Sequence, residues 1–457
     1  MAKEIYNNVL DLIGNTPIVK LNKVVKKGGA QVLAKLEYFN PGSSVKDRIA
    51  MGIINGAVKS GELKPGGTIV EATSGNTGAA LAIAAAVLGY KTVFVMPDKV
   101  STEKIQLLKA LGGDVIITPT SVTAESPESY YSVAKKIASE TPNAYLSNQY
   151  YNQENPKAHY KNTGPEIWKQ LDGKLDVFVS GLGTGGTISG IGEFLKKKNP
   201  DIKIVGADPY GSILKIFKES GNLTQGAPYL VEGIGEDIIP GTLHFKFVDE
   251  IINVTDKESF LMSRRLTKEE GIFCGGSSGT AVHVAVNLAE KMKSDQIVLV
   301  MIPDGGDRYL SKHHSDEWMR EKRMLGSDRV TVRLITETKP NKIPSLVSLN
   351  QKSYVKDALK LMNEYNISQL PIIDDNKSIG SVRENKLLSI VLEDSESINT
   401  LISEIMDDPF PVIDENNTLD SASKTLKDSP AAIVRDRGTL VSVITRFDII
   451  EFTSPLE

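Results

Sequence analysis

The chain has one cysteine in 457 residues, Cys274, so it can form neither an internal disulfide nor a zinc site built from several thiols. Histidine is nearly as scarce, with five, and none stands at a metal-ligand spacing, so no metal is expected. Long apolar runs are missing too. The longest, Ala79 to Leu88, stops at Gly89, Tyr90 and Lys91, short of the roughly 20 residues a membrane-spanning helix needs. It reads as a buried core helix, and no membrane partner is expected. The opening residues MAKEIYNNVLDLIG carry early acids and no charged segment followed by an apolar one, which makes a cytoplasmic location the expectation. Excess charge of one sign is also absent. The 53 basic and 57 acidic residues leave a formal net charge of -4, with no basic blocks, so no nucleic acid partner is expected.

What the sequence does contain is α/β grammar. TIVEAT predicts a strand, GNTGAALAIAAAVLGY a helix ending at Gly89, KTVFVMP the next strand and TEKIQLLKALGG another helix. DVFVSG, KIVGADP and IVLVMI follow as further strands, and near-continuous apolar runs of this kind indicate mostly parallel sheets covered by helices on both faces. The pattern changes at the charged stretch SDEWMREKRMLGSDR. Residues 1–322 are therefore read as a catalytic domain and 323–338 as a linker. Two copies of one helix-strand-strand-helix order follow, over 339–395 and 396–457. Two copies are too few for an open solenoid, so they are expected to close on each other as a pair.

Four motifs carry the chemistry. In NPGSSVKDR, Lys46 stands at the start of a helical pattern, where burial and the positive helix end favour a neutral, nucleophilic amine. In EATSGNTG, residues Thr73, Ser74, Asn76 and Thr77 gather hydroxyl, amide and backbone donors at a helix N-terminus; this suits a carboxylate, and it equally suits an ordinary helix cap. The turn SGLGTGGTISG lets the backbone of Gly183, Thr184, Gly185, Gly186 and Thr187 converge on a phosphate. A dinucleotide is the alternative, but that fingerprint opens the first βαβ unit with GxGxxG, whereas this loop lies far along the chain and reads GTGGT. In CGGSSGTAV, Ser277 opens another helix, either as a plain cap or as a neutral partner for a ring nitrogen.

The order and spacing of these four motifs, with GNTP at Gly14 to Pro17, resemble fold type II pyridoxal-phosphate enzymes, and the resemblance runs to about residue 320. It implies pyridoxal 5'-phosphate as cofactor, with Lys46 as the cofactor-linking lysine, Asn76 as partner of the ring oxygen, Gly183 to Thr187 as phosphate loop and Ser277 as partner of the pyridine nitrogen. The stretches NQYYNQENPKAHY and YLVEGIGEDIIP, with the repeat pair, are similar to the cystathionine β-synthase branch rather than the cysteine synthase branch. By that resemblance Gln149 helps hold the substrate carboxylate, Tyr150 lies near the bound amino acid, and Gly233 and Gly235 lie at the cleft.

The reaction so implied is a β-replacement. Lys46 removes the α-proton of serine or O-acetylserine, the β-substituent leaves, and homocysteine takes its place; with cysteine as first substrate, hydrogen sulfide would be released. A homodimer or higher homo-oligomer is the expected assembly. Two departures stand out. The haem-binding extension of the animal enzymes and its cysteine ligand are not seen, so no haem is expected, and Glu236 stands where those enzymes usually carry tyrosine. Cysteine synthesis from O-acetylserine and sulfide remains open, as does a nonenzymatic adenine-nucleotide sensor. The repeat pair resembles the tandem CBS domains of a Bateman module. Thr445 and Asp448 match its ribose-binding signature for an adenosyl effector such as S-adenosylmethionine, closed by Leu370 and Pro371, and they equally suit a helix cap.

Overall fold

The computed structural model describes residues 5–73, 75–98, 100, 102–119, 122, 126–325, 331–337 and 344–453. The chain divides into two compact units, Met1–Lys322 and Arg323–Glu457. The first unit contains strands β1 (Ile18–Lys20), β2 (Gln31–Leu36), β3 (Thr68–Ala72), β4 (Lys91–Pro97), β5 (Asp114–Thr118), β6 (Ala144–Leu146), β7 (Val177–Gly181), β8 (Lys203–Pro209), β9 (Glu250–Val254) and β10 (Ile297–Ile302). They form a six-stranded sheet in the order β1-β2-β10-β7-β8-β9 and a four-stranded sheet in the order β5-β4-β3-β6. Every pairing is parallel except β1 with β2.

The apolar strands have the expected burial on both faces. In β10, Val298, Val300 and Ile302 enter one core with the helix Gly276–Ala289, while Leu299 and Met301 enter another with the helix Gly186–Lys198. The four-stranded sheet behaves likewise, with Ile69, Phe94 and Met96 on one side and Val70, Ala72 and Val95 on the other. Successive residues on opposite faces, each covered by helices, explain why these strands read as unbroken apolar runs. The predicted helix Asn76–Leu88 is buried along most of its length and ends at Gly89 in the left-handed region, φ +78°.

The helix Lys46–Ser60 joins the two lobes. Ala50, Ile54 and Ala57 share a core with Ala79 to Ala85 of the helix behind β3. On its other side, Arg48 enters a buried polar network. Its guanidinium reaches Glu37 at 2.6 Å, Glu166 at 2.8 Å and the Thr16 hydroxyl at 3.2 Å. Lys35 also pairs with Glu166, and donates to the Thr16 carbonyl at 2.7 Å and Gln170 at 2.8 Å. Glu166 further accepts the backbone N–H groups of Asn15 and Thr16 at 3.0 and 3.1 Å, which pins the GNTP turn.

In the second unit, β11 (Gln369–Asp374) and β12 (Lys377–Arg383) form one hairpin, and β13 (Val412–Asp414), β14 (Ala431–Asp436) and β15 (Thr439–Thr445) form a three-stranded sheet. Both hairpins turn on two residues with positive φ, Asp375-Asn376 and Arg437-Gly438, whose twist matches that of the strands. The turns also touch: the Asn376 amide donates to the Gly438 carbonyl at 2.9 Å and accepts from Leu440 N–H at 3.0 Å. Part of the stretch read as linker is built into the second repeat. Thr331 bridges to Thr418, Val332 N–H donates to Asn417 at 2.9 Å, and the helix Val332–Glu337 packs Ile335 beside Leu419. Six helical residues are too few for their periodicity to stand out in the sequence.

Replacing Arg48 by methionine takes the guanidinium from buried Glu37 and half-buried Glu166, and unfolding free energy is expected to fall by about 3–5 kcal/mol. Fluorescence-monitored denaturant unfolding measures this in the first unit, which holds both tryptophans, Trp168 and Trp318. Burial raises the Glu166 pKa, but the bonds and charges of Arg48 and Lys35 outweigh it and hold it at about 2, below the usual 4.5. The stability this provides is therefore present above pH 4.5 and lost as pH falls toward 2, with a shallower acid limb expected for Glu166→Gln.

Candidate active site

The motif residues collect beyond the carboxyl ends of parallel strands, where α/β sheets place their ligand sites. Lys46 follows the turn after β2. That turn is tied to the end of β10, since Val45 N–H donates to the Pro303 carbonyl at 2.8 Å and Gly305 N–H to Ser43 at 3.3 Å. Lys46 makes no ion pair among the described residues. Burial lowers its pKa below the usual lysine value, against the raising charges of Asp304 and Glu236.

Thr73, Asn76 and Thr77 stand at the start of the helix after β3. The Thr73 hydroxyl accepts Gly75 and Gly78 N–H at 3.2 and 3.4 Å, as the helix-cap alternative requires. Thr77 donates to the Gln149 side chain at 2.6 Å, which brings Gln149 to the same helix start. Beneath them Glu71 accepts from the Ser147 hydroxyl, and burial pushes its pKa up to about 7. Ser74 lies outside the described residues. Asn76 reaches across to the other lobe, donating to Asp304 at 2.8 Å and accepting from Arg308. Asp304 also accepts from the Tyr309 hydroxyl at 2.7 Å.

The glycine turn leads from β7 into the helix Gly186–Lys198, whose first N–H groups have no partner within the helix. Gly185 adopts φ +79°, and a methyl group on it would lie 2.4 Å from Leu243 Cβ. A methyl on Gly183 would strike the Gly233 carbonyl, and one on Gly186 the Asn155 amide. The VEGIG segment is thus laid against the loop, with Gly235 N–H donating to the Leu182 carbonyl at 2.6 Å. Gly233 and Gly235 take φ +83° and +81°, which only glycine adopts freely.

The loop hydroxyls are oriented from behind. Asn155 donates to Thr184 Oγ1 at 3.1 Å, and Thr242 donates to the Thr184 carbonyl at 2.6 Å. His159 bonds Thr187 at 3.1 Å through Nε2 and Thr163 at 2.9 Å through Nδ1. Burial pushes the His159 pKa well down, so the ring is neutral, with one donor and one acceptor nitrogen. Tyr150 stands edge-on to Tyr131, with ring centroids 5.8 Å apart. Ser277 is buried in the first turn of the helix Gly276–Ala289, and its hydroxyl makes no hydrogen bond among the described residues.

Sequence reasoning did not single out Asp304, Arg308, Tyr309, Asn155, His159 or Thr242. The first three had a signal in PDGGDRY, an acid in a glycine turn after the last apolar strand. The supporting three come from the helical stretch after Gln149 and from a loop, where no local pattern marks them. In the second unit, Thr445 donates to Asp448 through its backbone N–H at 2.6 Å and its hydroxyl at 2.7 Å, the geometry of the helix-cap alternative. Leu370 is fully buried in the first repeat's own core. Among the described residues, no three His, Cys, Asp or Glu gather as a metal site, and no helix is long and apolar enough to cross a membrane.

A half-buried lysine at a helix start, a glycine loop leading into another helix and a serine hydroxyl with no hydrogen bond among the described residues are compatible with pyridoxal phosphate, and the chain belongs to the pyridoxal-phosphate dependent enzyme family, matched over residues 9–304. The CBS-domain family matches residues 342–393 and 402–454. Within the first family the chain falls with the cystathionine β-synthases. It is 38% identical over 463 residues to cystathionine β-synthase of Dictyostelium discoideum, covering 98% of this chain and 93% of that relative. A solved cysteine synthase from Entamoeba histolytica is 40% identical with a TM-score of 0.63, covering 68% of this chain and 91% of its own. A hydrogen sulfide-producing enzyme from Fusobacterium nucleatum is 38% identical with a TM-score of 0.62, covering 67% of this chain and all of its own.

The cradle itself supports pyridoxal phosphate: side chains at positions 183, 185 and 186 would collide with their neighbours, leaving bare backbone donors for one phosphate. Gly185→Ala is expected to weaken cofactor binding about tenfold, since a strained left-handed residue costs on the order of 1–3 kcal/mol. Titrating the cofactor-free protein with pyridoxal phosphate by fluorescence measures the change without reference to turnover.

Proposed function

We propose that this chain joins serine, or O-acetylserine, to homocysteine by β-replacement to give cystathionine, and releases hydrogen sulfide when cysteine replaces serine. The observation that carries the reading is the near full-length match to cystathionine β-synthase, over both units, in a chain that retains Lys46, Asn76, the glycine cradle and Ser277. Cysteine synthesis shares those residues but has less support, because the cysteine synthase likeness stops at 68% of this chain. A nonenzymatic nucleotide sensor would have no use for Lys46, the glycine loop and Ser277 kept together in one unit.

Pyridoxal phosphate supplies an aldehyde that captures amino groups and a ring that draws electron density from the α-carbon. The backbone N–H groups of Gly183 to Thr187 would hold the phosphate, with the Thr184 and Thr187 hydroxyls bonded by Asn155 and His159. Asn76 would meet the ring oxygen, and Ser277 would offer the ring nitrogen a hydroxyl rather than a carboxylate. Thr73 to Thr77, with Gln149, receive the substrate carboxylate at a helix N-terminus, and Tyr150 borders the bound amino acid. Lys46 would hold the cofactor until the substrate's amino group displaces it; its freed Nζ would then take the α-proton, give it to the departing β-substituent, and pass the incoming thiol's proton back to the α-carbon. Gly233 and Gly235 keep the cleft wall close to the loop. Lys46→Ala is expected to abolish turnover while the cradle still binds cofactor; near wild-type product by mass spectrometry would remove Lys46 from this role.

We extend the reading to a cytoplasmic homodimer that works without haem. The chain's one thiol, Cys274, is fully buried in the core, and burial pushes its pKa up to about 12, so it suits no iron. The domain division at 322/323, with repeats at 339–395 and 396–457, belongs to the same proposal. So does one adenosyl site at Thr445 and Asp448, where the first repeat offers Glu384 and a buried Leu387 instead. Calorimetry with S-adenosylmethionine, AMP and ATP is expected to give binding that Asp448→Ala abolishes; no heat with any of the three removes the site.

A further inference from the structure

Three of the four motifs meet at Asp304, a buried residue just beyond β10. On one side it bridges to Ser44, two residues before Lys46, and its neighbour Pro303 accepts Val45 N–H at 2.8 Å. On another, a methyl group on Gly275, two residues before Ser277, would lie 2.3 Å from Asp304 Oδ1, so the carboxylate packs directly against that turn. On the third, its Oδ2 accepts from the Asn76 amide at 2.8 Å and from the Tyr309 hydroxyl at 2.7 Å.

Asn76 is held at both ends of its amide. The amide oxygen accepts from Arg308, whose guanidinium also donates to the Gly42 carbonyl at 2.7 Å, in the turn before Lys46. Arg308 can only donate, so the amide oxygen must face it and the amide nitrogen must face Asp304. Reversing the amide would set oxygen against oxygen at Asp304 and N–H against N–H at Arg308. The nitrogen carries two hydrogens, and among the described residues Asp304 accepts one and leaves the other unspent. These bonds also cross between lobes, since Asn76 opens the helix behind β3 while Asp304 and Arg308 follow β10.

The orientation of the amide decides the state of the ring oxygen it meets. An N–H directed at that oxygen favours its ionised form, whereas an amide oxygen in the same place would require it to keep its proton. We propose that Asp304 and Arg308 are positioning residues, which lock the Asn76 amide so that its unspent N–H serves the cofactor's ring oxygen and keeps that oxygen ionised. The inference rests on the reading of Asn76 as the ring-oxygen partner and names the residues that make it a donor there.

The test reads the absorbance of the cofactor-loaded full chain at neutral pH without substrate. The measure is the ratio of the visible band, which requires an ionised ring oxygen, to the near-ultraviolet band of the protonated form. Asn76→Ala removes a hydrogen bond to a charged oxygen and is expected to lower the ratio about tenfold. Asp304→Ala and Arg308→Met each loosen that bond from behind and are expected to lower it at least about threefold. Asp304→Asn, whose amide oxygen can accept the same two bonds, is expected to retain the wild-type ratio. Because Asp304 acts through Asn76, Asp304→Ala is expected to add nothing in the Asn76→Ala background. Arg308→Met carries the same cycle if Asp304→Ala does not take up cofactor. A wild-type ratio in either Asp304→Ala or Arg308→Met, or losses that add in full to that of Asn76→Ala, overturn the inference while leaving Asn76 at the ring oxygen. A fall in Asp304→Asn equal to that in Asp304→Ala traces the effect to charge and overturns it as well. An unchanged ratio in Asn76→Ala overturns the reading of Asn76 itself.

Discussion

Arg48 lies two residues beyond Lys46, enclosed by Glu37, Glu166 and Thr16 in a region closed to water. Burying a guanidinium is tolerable only when its donors are filled, and here two carboxylates and a hydroxyl fill them. The same carboxylates fix the GNTP turn and, through Lys35, strand β2. Helix Lys46–Ser60 consequently has one side held to the six-stranded lobe by directional bonds and the other packed by alanine and isoleucine against the four-stranded lobe. Lys46 stands at the N-terminus of this helix, so its backbone is positioned by a network that makes no hydrogen bond to its side chain among the described residues.

A second layer of the same kind lies behind the glycine loop Gly183–Thr187. His159, Asn155 and Thr242 set the hydroxyls and carbonyls of Thr184 and Thr187, and Leu182 receives the GIG segment. The loop is glycine-rich because its neighbours leave no room for side chains, and those neighbours are themselves bonded in place. A binding surface made of backbone donors is rigid only when the backbone behind it is satisfied.

Much of this was legible in the sequence. Apolar strands with glycine turns gave the parallel sheets, and each of the four motifs fell at the end of a strand or the start of a helix. Asp304, Arg308 and Tyr309 were less visible, because their partner Asn76 lies more than 200 residues away in the chain. His159 and Asn155 read as ordinary helical residues until the fold turns them toward the loop. The helix Val332–Glu337 reads as linker in the sequence because its partners, Glu415 to Leu419, come some 80 residues later. Short local patterns announce a strand or a turn; they do not announce which distant surface a side chain will meet.

That helix sets an order of assembly for the second unit. Its partners at Glu415 to Leu419, and the last helix beside Phe452, leave the ribosome after the whole first repeat has been made. The first repeat can therefore collapse on its own core while the segment before it still waits for a surface. Only when the end of the chain is released can the opening segment be clasped by the closing one. Any truncation that spares the first repeat but removes the second would leave Val332 and Ile335 without cover, exposing apolar surface rather than yielding a smaller intact module.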